Sequence, residues 1–211
     1  IVTPSYNQAQ YLEETIRSVL LQNYPNLEYI IIDGGSTDSS VEIIKKYEPW
    51  LAYWESKKDM GQAHAINKGW KNSYGKFLSW INSDDVLKPG SLTFVISEFN
   101  KKPTVDFIYG DNERIDEMSQ VTSVKKGRQI KITDMLRTMK VPIPQPGSFI
   151  RKDVLEKIGY LNENYHVVLD RDFFVRCGLA CELHYIPKVL AQIRQYQDAK
   201  SFSEKNKWVK E

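Results

Sequence analysis

Two apolar runs that stop abruptly in carboxylates constrain the fold of this chain more than any other feature. The first is Tyr29-Ile30-Ile31-Ile32, which ends in Asp33-Gly34-Gly35-Ser36-Thr37-Asp38. The second is Phe77-Leu78-Ser79-Trp80-Ile81, which ends in Asn82-Ser83-Asp84-Asp85. An apolar run without alternation reads as a strand buried on both faces, as in a parallel sheet. Open parallel sheets bind ligands beyond the carboxyl ends of their strands. Both acidic clusters are therefore expected at one edge, facing one crevice. Such an edge suits a ligand that needs a base-reading carboxylate and a cation held by oxygen. A nucleoside diphosphate with a divalent metal meets both needs.

The strand–helix rhythm continues around these runs. Ile1 to Thr3 reads as the end of a strand. Tyr11 to Leu21 places Leu12, Ile16, Val19 and Leu20 on one helical face. Leu27 to Asp33 is the next strand, and Ser36 or Thr37 is expected to cap a helix running to about Tyr47. Leu51 to Glu55 reads as a short strand and Gly61 to Trp70 as a helix, ended by Asn72, Ser73 and Gly75. Phe77 to Asn82 is a central strand, Pro89-Gly90-Ser91 opens a helix to about Asn100, and Phe107 to Asp111 is a further strand. This alternation predicts an α/β fold with right-handed crossovers and a doubly wound, mostly parallel sheet flanked by helices.

The second half is less regular. Residues 112–147 read as a solvated loop carrying a basic segment, Lys125-Lys126-Gly127-Arg128, and the prolines 142, 144 and 146. Ser148 to Arg151 reads as a strand, Lys152 to Ile158 as a helix stopped by Gly159, and Leu169 to about Leu179 as a helix. Leu183 to Ile186 and Val189 to Tyr196 read as two strands. The tail from Ser201 reads as a charged helix or a frayed end. No linker or repeat divides the chain, so residues 1–211 are expected to form one domain. Its halves are about 1–111 and 112–211.

At 211 residues there is ample length for a core, and a net charge of +2 with interspersed signs argues against a dedicated nucleic-acid binder. No stretch approaches membrane-spanning length. The expected location is the cytoplasm, with peripheral contact at the inner membrane face left open. The chain opens on Ile1-Val2 rather than Met, which leaves room for residues upstream. The two cysteines, Cys177 and Cys181, fit a reducing compartment. They read as buried thiols, because a closed zinc site needs four ligands and His64, His166 and His184 show no matching spacing.

Several loops offer chemistry. The first strand runs into Thr3-Pro4-Ser5-Tyr6-Asn7, where backbone groups and an aromatic face suit a nucleobase, although an ordinary strand-to-helix turn looks the same. Neither a Gly-x-Gly-x-x-Gly loop nor a Walker lysine loop is present. Asp33 needs donors if buried. The imide N–H of a uracil and the N–H groups of its own turn serve equally well. Gly61 allows close backbone approach, and Asn67 on the helix it opens is expected to face the crevice; a capped amphipathic helix is the plain alternative. Asn82-Ser83-Asp84-Asp85 is the sharpest element. Mg²⁺ and Mn²⁺ prefer oxygen ligands and keep phosphate oxygens and waters, and two adjacent acids are uncomfortable without a cation or donors. Asp170 and Asp172 open a helix, where the dipole alone would explain them.

Taken together and in this order, these segments resemble the family 2 glycosyltransferases, which have the GT-A fold. The resemblance rests on Thr3 to Asn7, on Asp33 to Asp38, and on Asp59-Met60-Gly61-Gln62 with Ala65 and Asn67. It continues through Trp80 to Asp85 with Pro89-Gly90, and ends at Leu169-Asp170-Arg171-Asp172. It implies a nucleotide-binding N-terminal half and an acceptor-side C-terminal half. It also implies inverting transfer, of hexosyl or N-acetylhexosaminyl type, from a UDP-sugar to a saccharide or lipid-linked acceptor in cell-surface polysaccharide or glycan synthesis.

By this resemblance Thr3, Pro4, Tyr6 and Asp33 are nucleoside contacts. Gly61, Asn67, Asn82, Ser83 and Asp84 belong to the donor site, and Asp84 is the ligand of Mn²⁺ or Mg²⁺. Asn82 replaces the first acid of the family's Asp-x-Asp motif, so that position carries a hydrogen bond without charge. Asp170 falls where the family has its catalytic base, with Leu169 in place of a frequent Glu. Asp85 and Gln145 fall on the acceptor side. Tyr196 stands where many relatives carry a histidine that helps bind the metal. The alternatives are a non-catalytic nucleotide-sugar- or glycan-binding module and a nucleotidyltransferase. The latter usually shows a glycine-rich basic loop after the first strand, which is missing.

Overall fold

The structure is a computed structural model, and it describes residues 1–138 and 141–197. The charged tail from Ser201 lies outside the described residues. The first half alternates as expected: β1 (Val2–Ser5), α1 (Ala9–Leu20), β2 (Ile30–Asp33), α2 (Ser40–Tyr47), β3 (Tyr53–Ser56), α3 (Gln62–Lys71) and β4 (Phe77–Leu78). Strands β1, β2 and β3 are parallel neighbours in that order, with Ser5 beside Asp33 and Asp33 beside Ser56. On the other side of β1, the Val2 N–H donates to Ser79 O and the Ile81 N–H donates to Val2 O. The chain after β4 thus runs parallel to β1, and Asn82 to Asp85 leaves the sheet at the same end as Ser5 and Asp33.

The apolar run of β2 is buried on both faces. Ile30 and Ile32 join a core cluster with Ala65, Ile66 and Trp70 of α3, whereas Tyr29 and Ile31 join a second cluster with Leu12, Ile16 and Ile44. Helix α3 presses closely on β1, since a Cβ at Gly69 would lie 2.5 Å from Val2 Cγ1. Helix α2 begins later than the sequence suggests. Ser36 and Thr37 do not cap it; Ser36 Oγ donates to Asp33 and the Thr37 N–H donates to Asn7 Oδ1.

The second half is β5 (Val86–Leu87), α4 (Ser91–Lys101), β6 (Phe107–Ile115), β7 (Val121–Lys125), α5 (Ile132–Thr138), β8 (Ser148–Arg151), α6 (Val154–Ile158), α7 (Leu169–Ala180) and β9 (Leu183–Arg194). Its strands follow the order β4-β8-β6-β9-β5, with β7 paired to β6. β9 lies parallel to β6, whereas β8 runs antiparallel to both β4 and β6, so this part of the sheet is mixed. Residues 112–147 are not simply a loop. β6 continues to Ile115 and returns as β7, whose residues are all exposed, so the hairpin lacks the buried alternation that marks a strand in sequence. The two strands expected after Leu183 are one, and the pairing shifts register near Pro187, which has no N–H to donate.

An aromatic cluster fixes α7 against α3. Trp70 and Trp80 each lie close to Phe173, with ring centroids 5.5 and 6.1 Å away, and Trp80 stacks on Phe174 at 6.0 Å. Trp80 stands just before Asn82 and Phe173 just after Asp170, so this packing draws two distant sequence motifs together. Among the described residues, no helix is long and apolar enough to cross a membrane.

Candidate active site

A cleft of about 810 Å³ opens at the carboxyl end of β1, within the roughly 300–1,000 Å³ usual for small-molecule sites. Pro4, Ser5 and Tyr6 form one wall, Asp59, Met60, Gly61 and Gln62 another, and Asn82, Ser83, Asp84 and Tyr196 a third. Tyr6 and Met60 are exposed at its rim. Six of the residues expected at the donor site, Pro4, Tyr6, Gly61, Asn82, Ser83 and Asp84, therefore meet in one space.

Gly61 sits at φ +111°, which a glycine adopts without strain. Its N–H donates to Asp59 Oδ1 at 2.8 Å, and α3 begins at the next residue with no side-chain cap. The N-terminus of the helix stands at the cleft wall, where its dipole favours negative charge.

Thr3, Asp33 and Asn67 lie behind the wall instead of on it. Thr3 is buried, and its hydroxyl is 3.0 Å from the Tyr29 hydroxyl. Strand side chains alternate, and the pleat turns Thr3 inward. Asp33 is fully buried. Its Oδ2 accepts the Gly35 and Ser36 N–H groups and the Ser56 hydroxyl, and its Oδ1 accepts the Ser36 hydroxyl. The carboxylate thus organises its own turn, and Oδ1 is the oxygen with capacity left. Asn67 does not face the crevice. Its Nδ2 donates to Leu161 O and Glu163 Oε1, and its Oδ1 accepts the Leu161 N–H. A buried carboxamide needs such partners, and here they belong to the segment leading to α7.

The Asn82–Asp85 turn is held from several sides. Asn82 Oδ1 accepts Gln62 Nε2 at 2.7 Å, while its Nδ2 donates to Asp85 Oδ2 and to Gln145 Oε1. Gln145 Nε2 in turn donates to Trp80 O, so Gln145 braces the turn from behind. Asp85 is buried and accepts the Arg194 N–H at 3.1 Å. Burial, and then the neighbouring Asp84 charge, push its carboxyl well above the ordinary range. Asp84 reaches the cleft. Burial raises its pKa, against the opposing effects of the Tyr196 hydrogen bond and the Arg194 charge.

Tyr196 faces the site. Its hydroxyl donates to Asp84 Oδ2 at 3.0 Å and lies 3.3 Å from Gln8 Nε2. Burial and the Asp84 charge raise the phenol pKa, so it stays protonated and serves as a donor. Among the described residues no three His, Cys, Asp or Glu side chains converge as a metal site. The donor set therefore fits a hard cation held jointly by Asp84 and diphosphate oxygens, not one held by protein alone.

Asp170 stands in the first turn of α7, with Oδ1 accepting the Arg171 N–H at 2.8 Å. Burial raises its pKa, opposed by that hydrogen bond and by the Arg171 and Lys125 charges. Asp170 is not among the residues that line the cleft, whereas His166, four residues earlier, comes close to it, with Nδ1 3.7 Å from a Cβ placed at Gly61. Two contributors escaped the sequence. Gln8 followed the marked Thr3–Asn7 loop by one residue, and Arg194 closes the apolar run that begins at Val189, a signal that was there to be read.

The chain and its fold have known relatives. The family model for glycosyl transferase family 2 matches residues 1–159. An uncharacterized glycosyltransferase of Mycobacterium tuberculosis is 29% identical over 194 residues, covering 91% of this chain and 73% of that protein. The crystal structure of Staphylococcus aureus TarS 1–349 in complex with UDP-GlcNAc superposes with a TM-score of 0.74 at 17% identity, covering 96% of this chain and 60% of that one. The mannosyltransferase PcManGT of Pyrobaculum calidifontis, in complex with GDP-Man and Mn²⁺, gives 0.69 at 18% identity, covering 94% and 57%. The chain belongs to glycosyl transferase family 2 and is a glycosyltransferase with the GT-A fold.

Proposed function

We propose that this chain transfers a sugar from a UDP-sugar to a hydroxyl of a saccharide or lipid-linked acceptor with inversion, in the synthesis of a cell-surface glycan. The observation that carries this reading is the double role of α3. Its first turn lines the cleft, and Asn67 on the same helix holds the segment that leads to Asp170. Donor and base are thus indexed to one rigid element. The neighbours support a nucleotide-sugar donor: TarS was crystallised with UDP-GlcNAc and PcManGT with GDP-Man and Mn²⁺.

In this reading Tyr6 offers a face to the uracil, and Asp33, from behind the wall, holds the Gly34-Gly35 turn that lines the cleft beside it. The positive end of the α3 dipole meets the diphosphate. A divalent cation, when bound at Asp84, offsets the charge that the departing diphosphate gains. Asp170 removes the proton of the attacking hydroxyl as the new bond to the anomeric carbon forms. The bond from that carbon to the diphosphate oxygen breaks in the same displacement, and its electron pair leaves with the nucleotide. One base and no covalent intermediate give inversion, through an oxocarbenium-like state.

Calorimetric titration with UDP and GDP, each with and without Mn²⁺, tests this. UDP is expected to bind more tightly than GDP, and Mn²⁺ to tighten it. Equal affinities would overturn the uridine assignment, and an affinity unchanged by chelator would overturn the metal. With a UDP-sugar present, release of UDP marks glycosyl transfer; with UTP and a sugar 1-phosphate supplied instead, release of pyrophosphate would mark nucleotidyl transfer.

A further inference from the structure

The cleft carries an acid that the donor reading leaves unused. Its charged lining residues are Lys58, Asp59 and Asp84. Asp84 follows the segment that pairs with β1 through Trp80, whereas Lys58 and Asp59 follow β3. Strands β1 and β2 lie between the two, so the acids stand at opposite ends of the cleft. A carboxylate repels a diphosphate unless a cation comes between them. With the diphosphate and its cation at Asp84, the end at β2 and β3 is left for the nucleoside.

Asp59 rests against the glycine turn after β2. A Cβ at Gly34 would lie 3.2 Å from Asp59 Oδ1, and a Cβ at Gly35 would lie 3.0 Å from Lys58 N. The two glycines thus make room for this acid and its neighbour. Asp59 Oδ1 accepts the Gly61 N–H at 2.8 Å. Among the described residues Oδ2 accepts no hydrogen bond, and no cation pairs with Asp59. An asparagine would close the same turn through its side-chain oxygen, so the turn does not account for the charge. Asp33 differs on each point. It is fully buried, it does not line the cleft, and its carboxylate already accepts four hydrogen bonds. Tyr6 and Met60, both exposed, line the cleft with Asp59, and an aromatic ring and a thioether are surfaces on which a flat ring packs.

We propose that Asp59 is the residue that selects the nucleobase, its Oδ2 accepting the imide N–H of uracil. This rests on the uridine donor proposed above, and it gives the role to the acid after β3 instead of the buried acid after β2. An ionised carboxylate only accepts hydrogen bonds. It suits N3 of uracil, which carries a hydrogen, and opposes N3 of cytosine, which carries a lone pair. The two bases share ring size and shape, so this one atom separates them.

Calorimetric affinities of UDP, CDP and GDP, each with Mn²⁺, are compared for the parent and for Asp59→Asn. The asparagine keeps an oxygen for the Gly61 N–H and adds an amide donor that cytosine N3 accepts. The parent is expected to bind UDP about tenfold or more tighter than CDP, the worth of one hydrogen bond to a charged group. Asp59→Asn is expected to erase most of that preference by weakening UDP and tightening CDP, with the melting temperature kept. A role confined to starting α3 would weaken both nucleotides alike. Equal binding of UDP and CDP by the parent overturns the proposal, and so does a preference that Asp59→Asn leaves intact. A preference lost in Asp33→Asn alone would return the role to Asp33. A parent that binds GDP most tightly would overturn the uridine donor itself, and this role of Asp59 with it.

Discussion

Asp170 and Asp172 share the first turn of α7 and differ in what they touch. Asp172 Oδ2 is 2.7 Å from Arg176 Nη2, an ordinary helical ion pair. Asp170 accepts a backbone N–H and is raised by burial, the condition expected of a base. Asp170→Asn should keep UDP affinity and melting temperature while transfer falls about a hundredfold or more. Asp172→Asn should cost about 1 kcal/mol or less, the worth of a partly exposed pair, and keep transfer. A raised carboxyl is protonated at higher pH than usual, so the acid limb of kcat/KM should lie above the ordinary carboxylate range. Activity is lost as pH falls through it. Near-full transfer by Asp170→Asn, with loss in Asp172→Asn, would transfer the role to Asp172. At this scale the sequence reading, which sent Asp84 to the crevice, agrees with the lining of the cleft, because an acid ending an apolar run has few places to go. It misplaced Thr3, because the pleat, not the residue type, decides which neighbour looks out.

Elements decide where the donor wall meets the acceptor side. Helix α3 was legible from its spacing and from Gly61. The partner of Asn67 was not, because Leu161 lies 94 residues away and no periodicity connects them. The β6–β7 hairpin was hidden for another reason: β7 is stabilised by backbone pairing with β6 and buries no face of its own. Asn67→Ala leaves the Leu161 N–H and C=O without their partners in a buried place, at a cost of about 1–3 kcal/mol. Since the cleft is lined by the other end of α3, UDP affinity should survive while transfer falls more than the stability loss explains. Measuring calorimetric affinity and product release on one preparation checks this. Parallel loss of both would mean that Asn67 supports the helix as a whole and not the approach to Asp170.

Across the whole molecule, Arg194 joins parts that the sequence keeps far apart. Its side chain is fully buried. The guanidinium donates to Glu14 on α1, to Asp84 O, and to Asp116 O and Ser119 in the turn between β6 and β7. It also stacks over Tyr11 at 4.5 Å, and Tyr11 packs against Tyr196 at 5.1 Å. One cation thus ties the first helix, the Asp84 turn, the hairpin and the last described strand, across separations of 75 to 180 residues. We propose that the chain accordingly unfolds as one unit, since neither half completes this cluster alone. Arg194→Met fills the volume but leaves two carbonyls and a carboxylate without their donor. Glu14 is 43% exposed and can turn to water, which softens the loss. The expected cost is about 2–4 kcal/mol, seen as a drop of about 5–15 °C in a single thermal transition. UDP with Mn²⁺ at about a hundred times its dissociation constant should return roughly 2.7 kcal/mol, because the ligand and Arg194 steady the same Asp84 turn. Two separate transitions in the variant would mean that the halves fold independently. An unchanged melting temperature would mean that the cluster is ornament on a core already complete without it.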